Sequence, residues 1–152
     1  MKKIFFIIIL VFTIISCNND NDVPDSMDFV VSGGLPMVKC ELNGKVGYFL
    51  IDTGANISVI DEGVTSKYNV FIYSFLDMTV DGIGGKNPLY YTNNTELIYK
   101  GQVIRINFKS TDLSNLTNHL GFIGIIGSDF LIQNKMIIDY KNKVIRTPNI
   151  ID

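Results

Sequence analysis

Asp52 closes the apolar run Phe49-Leu50-Ile51 and opens the turn Thr53-Gly54-Ala55. An acid at the end of a buried strand is partly desolvated, and a turn offers backbone N–H groups to hold it. Such a setting suits a general acid or base better than a surface charge. The plain alternative is an aspartate that only caps its own turn. Asp-Thr-Gly alone arises by chance in roughly 2–3% of chains this long at average residue frequencies. The frame around it, continuing as Asn56-Ile57-Ser58-Val59-Ile60, makes accident rarer. Two more segments stand out. Asp81-Gly82-Ile83-Gly84-Gly85-Lys86 is a glycine-rich tip between strand-like stretches, and Gly124-Ile125-Ile126-Gly127 leads into Ser128-Asp129-Phe130-Leu131. Each glycine also reads as an ordinary turn residue. One histidine, His119, and two cysteines, Cys17 and Cys40, provide no metal-ligand spacing, so neither metal nor cofactor is expected.

The elements that must position these residues read as strand after strand. Segments 36–42 and 45–51 flank Asn43-Gly44, a two-residue hairpin signal in which both positions take positive φ. A strand is expected over 57–60, then a short helical turn capped by Asp61. Strands follow over 70–73 and 78–83, the second running into the glycines. A hairpin of 90–99 and 102–108 turns at Lys100-Gly101, and 112–120 is a short helix. The continuous apolar run 122–126 predicts a strand buried on both faces. Ser128 is placed as N-cap of a helix over 129–133, and 135–140 with 143–147 close the chain as a hairpin. Many short strands with turn signals favour a closed or partly closed all-β barrel with one or two short helices.

The three segments, in this order, resemble the single-domain retropepsin-like aspartic peptidases: an Asp-Thr-Gly-Ala loop, a flap, and an apolar-apolar-Gly strand before a helix. The likeness spans about 28–146, and the flap and the Ile-Ile-Gly strand come later here than in compact viral members, which reads as added loop length. It implies the single-lobe acid protease fold, a closed β-barrel, and an endopeptidase with Asp52 as catalytic acid/base. In that chemistry two carboxylates share one proton, the ionised one activates a water, and the water attacks the scissile carbonyl. The chain carries Asp-Thr-Gly once, and Asp81, Asp129 and Asp139 stand in other contexts. A one-domain chain then builds the site only by pairing with its own copy, as the resemblance also implies. Residue by residue, it implies that Thr53 holds the two loops in register and that Gly54 approaches substrate beside Ala55. Asn56 replaces an acid that contacts substrate backbone in viral members. Ile83, Gly84 and Gly85 form the flap tip over an extended peptide, and Ile125 and Ile126 complete the substrate-binding set. Gly127 and Asp129 are structural.

The ends of the chain bear on location. Met1-Lys2-Lys3 precedes the apolar stretch 4–15, shorter than the about 20 residues a membrane span needs. Ile14-Ile15-Ser16-Cys17 resembles the lipobox of bacterial lipoproteins, which implies cleavage before Cys17 and its acylation. The expected division is a signal peptide over 1–16, a lipidated tether over 17–27 and a peptidase domain over 28–152, held at the bacterial cell envelope by its acyl chains. Removing 16 of 152 residues leaves 136, enough for one domain. Losing Lys2 and Lys3 from 13 basic residues leaves 11 against 15 acidic, a net charge of −4. No basic patch interleaved with aromatics occurs, so no nucleic-acid partner is expected. With Cys17 lipidated, Cys40 has no disulfide partner and reads as a buried strand residue. Expected partners are a second copy, a peptide or protein substrate, and the membrane. The rival readings are a catalytically silent peptide-binding lipoprotein of the same fold, and a structural surface lipoprotein with a coincidental motif.

Overall fold

A computed structural model describes residues 23–82, 85–93 and 95–148. Its strands are β1 (Ser26–Ser32), β2 (Leu35–Leu42), β3 (Lys45–Ile51), β4 (Val59–Asp61), β5 (Ile72–Gly82), β6 (Gly85–Thr92), β7 (Glu96–Tyr99), β8 (Gln102–Arg105), β9 (Lys109–Thr111), β10 (Gly124–Ile126), β11 (Ile137–Asp139) and β12 (Val144–Arg146). Helix α1 (Ser114–Leu120) lies before β10 and α2 (Ser128–Gln133) directly after it. Among the described residues no helix is long and apolar enough to cross a membrane.

Local chemistry sets the turns. Asn43 and Gly44 join β2 to β3 with φ of 47° and 81°, and Lys100 and Gly101 join β7 to β8 at 48° and 84°. Both are the left-handed pairs that suit the twist of a tight hairpin. The helical turn after β4 is a single 3-10 turn, Glu62–Val64, with the Asp61 side chain accepting from Gly63 N–H. Sequence reading and structure part at several elements. The expected strands over 70–73 and 78–83 are one long strand, β5, whose ladder with β6 shifts register between Ile72 and Ser74 and again between Leu76 and Thr79. Such bulges break the period-two alternation that marks a continuous strand. The expected strand over 90–99 is divided, because Asn93 leaves the ladder to exchange hydrogen bonds with the Phe71 backbone. The sheet begins at Ser26, inside the expected tether, since Met27 is fully buried and pairs with Ile145.

The strands hydrogen-bond in the order β11-β12-β1-β2-β3-β10-β4-β9-β6-β5, with the β7–β8 hairpin branching from β2. The two ends of that path do not pair, so the sheet is all-β but not the closed barrel expected. The reason lies in β2, whose one edge is shared: residues near Val38 pair with β1, while Glu41 and Leu42 pair with β7. A divided edge branches the sheet instead of rolling it around one axis. Two apolar clusters result. The larger is enclosed and includes Phe49, Ile51, Ile60, Phe108 and Ile126, with Phe49 and Phe108 stacked at 5.4 Å between ring centroids. The smaller gathers Met37, Leu50, Val59, Leu89, Phe122 and Ile125, and its partly buried members Ala55, Ile57, Val80, Leu113 and Leu116 lie at an open side. Alternation along β3 and β10 sends neighbouring residues to opposite clusters.

Candidate active site

The Asp52 turn is framed by a strand inserted between its own two arms. β3 enters the turn and β4 leaves it. β10 lies between them, parallel to β3 and antiparallel to β4. The register pairs Ile51 with Ile126, and Asp52 N–H donates to the Ile126 carbonyl at 3.1 Å. Asp52 is half-buried, and its Oδ1 accepts from Gly54 N–H at 2.8 Å. The same atom would lie 3.1 Å from a Cβ placed on Gly54, so a side chain there crowds the carboxylate. Thr53 and Gly54 are exposed at the tip of the loop.

The far side of the loop is held by the start of α2. Ser128 donates to the Ala55 carbonyl from both its N–H and its Oγ, each at 2.8 Å. Ser128 is thus the first residue of α2 and a strut to the loop, and Gly127 is the cap residue in its place. Gly127 must be glycine: a Cβ would stand 2.7 Å from the Ile57 carbonyl oxygen and 2.8 Å from that of Ala55. Asp129 takes two hydrogen bonds from Ser58, from N–H to Oδ2 at 3.0 Å and from Oγ to Oδ1 at 2.7 Å. Ser58 Oγ in turn accepts from Gly127 N–H at 3.0 Å. The fully buried Ser58 is therefore a hub that sequence reading missed. Its signal is a small polar residue inside the apolar run Ile57-Ser58-Val59-Ile60, where burial demands partners.

Asp52 opens on a cleft of about 620 Å³. Its floor is the open side of the smaller cluster, with Ala55, Ile57, Val59 and Ile125; its roof is the β5–β6 hairpin; and its far wall is α1, with Leu113 and Leu116. Asn56 and Gly85 line it, and Gly85 takes φ of 95°. Ile126 does not line it. Strand alternation turns this residue into the enclosed cluster, fully buried, which corrects its expected place among substrate-binding residues. Ile83, Gly84 and Cys17 lie outside the described residues. Asp52, Asp81 and Asp112 lie among the lining residues, and among the described residues no Lys, Arg or His does, although Lys86 faces Asp81 across the hairpin ladder. A hydrogen bond from Ser114 holds the Asp112 carboxyl below the usual carboxylate range. Among the described residues no group of three His, Cys, Asp or Glu side chains converges as metal ligands.

The arrangement positions one acid at a strand-roofed cleft with an apolar floor. Comparisons with known proteins agree in kind. The family model described as retroviral aspartyl protease matches residues 34–139. A comparison with curated protein sequences found no match. Among solved structures, the retroviral protease-like domain of Ddi1 from Leishmania major is similar at a TM-score of 0.55 with 22% identity, over 80% of this chain and 91% of that one. A retropepsin-like aspartic protease from Rickettsia conorii matches at 0.51 with 18% identity, over 80% and 90%. The EIAV protease complexed with the inhibitor HBY-793 matches at 0.50 with 21% identity, over 65% and 86%. The fold is the all-β retropepsin fold.

Proposed function

This chain belongs to the retroviral aspartyl protease family, and from that premise we propose that it is an aspartic endopeptidase working as a homodimer, with Asp52 of each copy supplying half of the catalytic pair. What supports this is the setting of Asp52: half-buried, held by Gly54 N–H and the Ile126 carbonyl, and facing the apolar cleft. The exposed Thr53 and Gly54 leave the loop tip open to a second copy. Two such carboxylates at close range titrate as a coupled pair, one ionised and one protonated. The ionised acid takes a proton from the water between them, the water attacks the peptide carbonyl, and the protonated acid donates to the developing oxyanion. The substrate lies extended beneath the β5–β6 hairpin, hydrogen-bonding to it as an added strand. Its side chains alternate between the apolar floor and the rim. The lipobox reading completes the proposal: Cys17 carries acyl chains that hold the enzyme at the bacterial envelope, where confinement raises the effective concentration for pairing.

The test is cleavage of a peptide library by purified protein over a range of concentrations. Activity should rise more steeply than linearly until the dimer saturates. Asp52→Asn should abolish it with folding unchanged, and excess Asp52→Asn protein should poison the wild type through mixed dimers. Undiminished cleavage by Asp52→Asn, or linear activity from a species that sediments as a monomer, would overturn the proposal. Mass spectrometry of native protein should show an acylated N-terminal cysteine, and a product that starts elsewhere would remove the anchor.

A further inference from the structure

Asp61 is a buried carboxylate that the catalytic scheme leaves unused. It ends β4, the strand that leaves the active-site loop, and it is 3% exposed. Its oxygens take three hydrogen bonds from neutral donors. Oδ1 accepts from Leu113 N–H at 3.0 Å and from Gly63 N–H at 3.3 Å, and Oδ2 accepts from Thr117 Oγ at 2.7 Å. Burying a carboxylate costs several kcal/mol unless its lone pairs are filled. A capped 3-10 turn needs one of these bonds; the other two reach across the fold.

Both of those go to the α1 segment. Leu113 stands at the N-terminal boundary of the helix, and Thr117 lies one turn further along. The two contacts, four residues apart, fix both the position and the rotation of a seven-residue helix. A helix this short does not hold itself in water. Leu113 and Leu116 on it are partly buried against the smaller apolar cluster and form the cleft's far wall. β4 and β9 bring the parts together: Asp61 pairs with Thr111 in a parallel ladder, and the chain turns back at Asp112 so that Leu113 N–H meets the carboxylate.

We propose that Asp61 is a positioning residue that clamps the α1 wall and so sets the size of apolar side chain the cleft accepts beside the scissile bond. The inference rests on the endopeptidase reading and deepens it. A carboxyl group suits the task because it offers two acceptor oxygens and both α1 donors point at them. In Asp61→Asn the amide nitrogen faces Thr117, whose hydroxyl accepts as readily as it donates, so the clamp survives. In Asp61→Ala both contacts are lost and α1 is released from β4. Thr117→Val removes the second contact alone.

The experiment digests a peptide library with full-length wild-type, Asp61→Ala, Asp61→Asn and Thr117→Val protein, together with Ile104→Val as a destabilised control from the enclosed core. Mass spectrometry reads the large-to-small apolar ratio beside the cut, and kcat and KM follow for one good peptide and its Ala counterpart. Asp61→Ala should lower the preference for the large side chain roughly tenfold through KM, the scale of a lost apolar contact in a specificity pocket. Thr117→Val should lower it about threefold, as one lost hydrogen bond does. Asp61→Asn and Ile104→Val should keep it within about twofold. Should Asp61→Ala fail to fold, Thr117→Val and Asp61→Asn decide the matter. Asp61→Ala or Thr117→Val protein that loses rate on both peptides equally, or keeps the wild-type ratio, overturns the inference while the endopeptidase reading stands. Wild-type protein that cuts nothing overturns both.

Discussion

Replacing Ser58 by alanine tests whether the hub behind the Asp52 loop holds it in place. The change removes one oxygen with two duties: accepting from the buried Gly127 N–H at 3.0 Å and donating to Asp129 Oδ1 at 2.7 Å. Orphaning a buried N–H costs about 1–3 kcal/mol, and a hydrogen bond to a charged acceptor contributes about 1.5–3 kcal/mol. The two losses share a site and do not add fully, so a total of about 3 kcal/mol is expected. Ser58 N–H still reaches Asp129 Oδ2, which keeps the carboxylate from complete loss. For a domain of this size the midpoint of thermal unfolding should fall by about 10 °C. Asp129→Asn is the informative partner. Its oxygen can accept from Ser58 N–H and its amide can donate to Ser58 Oγ, so only the serine proton is orphaned and the loss should be about 1 kcal/mol. Urea unfolding followed by circular dichroism measures both variants against wild type. Ser58→Ala within about 0.5 kcal/mol of wild type, or a larger loss in Asp129→Asn, would show that this triangle does not carry the loop.

Three further outcomes follow from the same geometry. Gly127→Ala must push the Ala55 and Ile57 carbonyls aside, which should cost about 2 kcal/mol or more and lower cleavage about a hundredfold by displacing the loop; wild-type kinetics would refute the close approach. Burial pushes the Cys40 thiol up to about 12, so native protein should resist a thiol reagent near pH 8 and react on unfolding. The thiol stays protonated in the fold while the unfolded chain ionises near 9, so its contribution to stability falls as pH rises through that window; rapid labelling of the native protein would contradict it. The cleft's carboxylates, without a lining cation, should make peptides with flanking Lys cleave about tenfold faster than those with Glu at low salt, with the gap closing at high salt and narrowing in Asp112→Asn; equal rates would refute this charge preference.

What the sequence shows and hides follows from the range of each interaction. Asn43-Gly44 and Lys100-Gly101 are legible because positive φ is a local demand that few residues meet. The family and its Asp-Thr-Gly loop are legible because the residues that build the turn are contiguous. The inserted strand β10 is legible as a buried run, but not as the neighbour of both β3 and β4. Residue alternation alone does not say that Ile125 faces the cleft and Ile126 the enclosed core. Ser128 has the composition of an N-cap, yet a carbonyl from a distant loop claims its hydroxyl. Asp61 is legible as a cap, and its reach to Thr117 depends on where α1 lands, 56 residues away. The open sheet is hidden for the same reason: it depends on how one edge of β2 is shared between strands far apart in the chain.

The struts of the Asp52 loop have a consequence for the order of events during synthesis. Ser58 meets Asp129 across 71 residues, and Ala55 meets Ser128 across 73. The parallel partner of β3 is β10, so no early hairpin can stand in for it. A ribosome that has just added Asp52 has some 77 residues to go before Asp129, which takes roughly 4–15 s at ordinary elongation rates. Throughout that interval the nascent chain carries the acid without the frame that orients it. Chains released early, anywhere before α2, carry the same defect permanently. On the proposed endopeptidase reading, hydrolytic competence would belong to the nearly finished polypeptide alone, and a fragment holding only Asp-Thr-Gly would lack it.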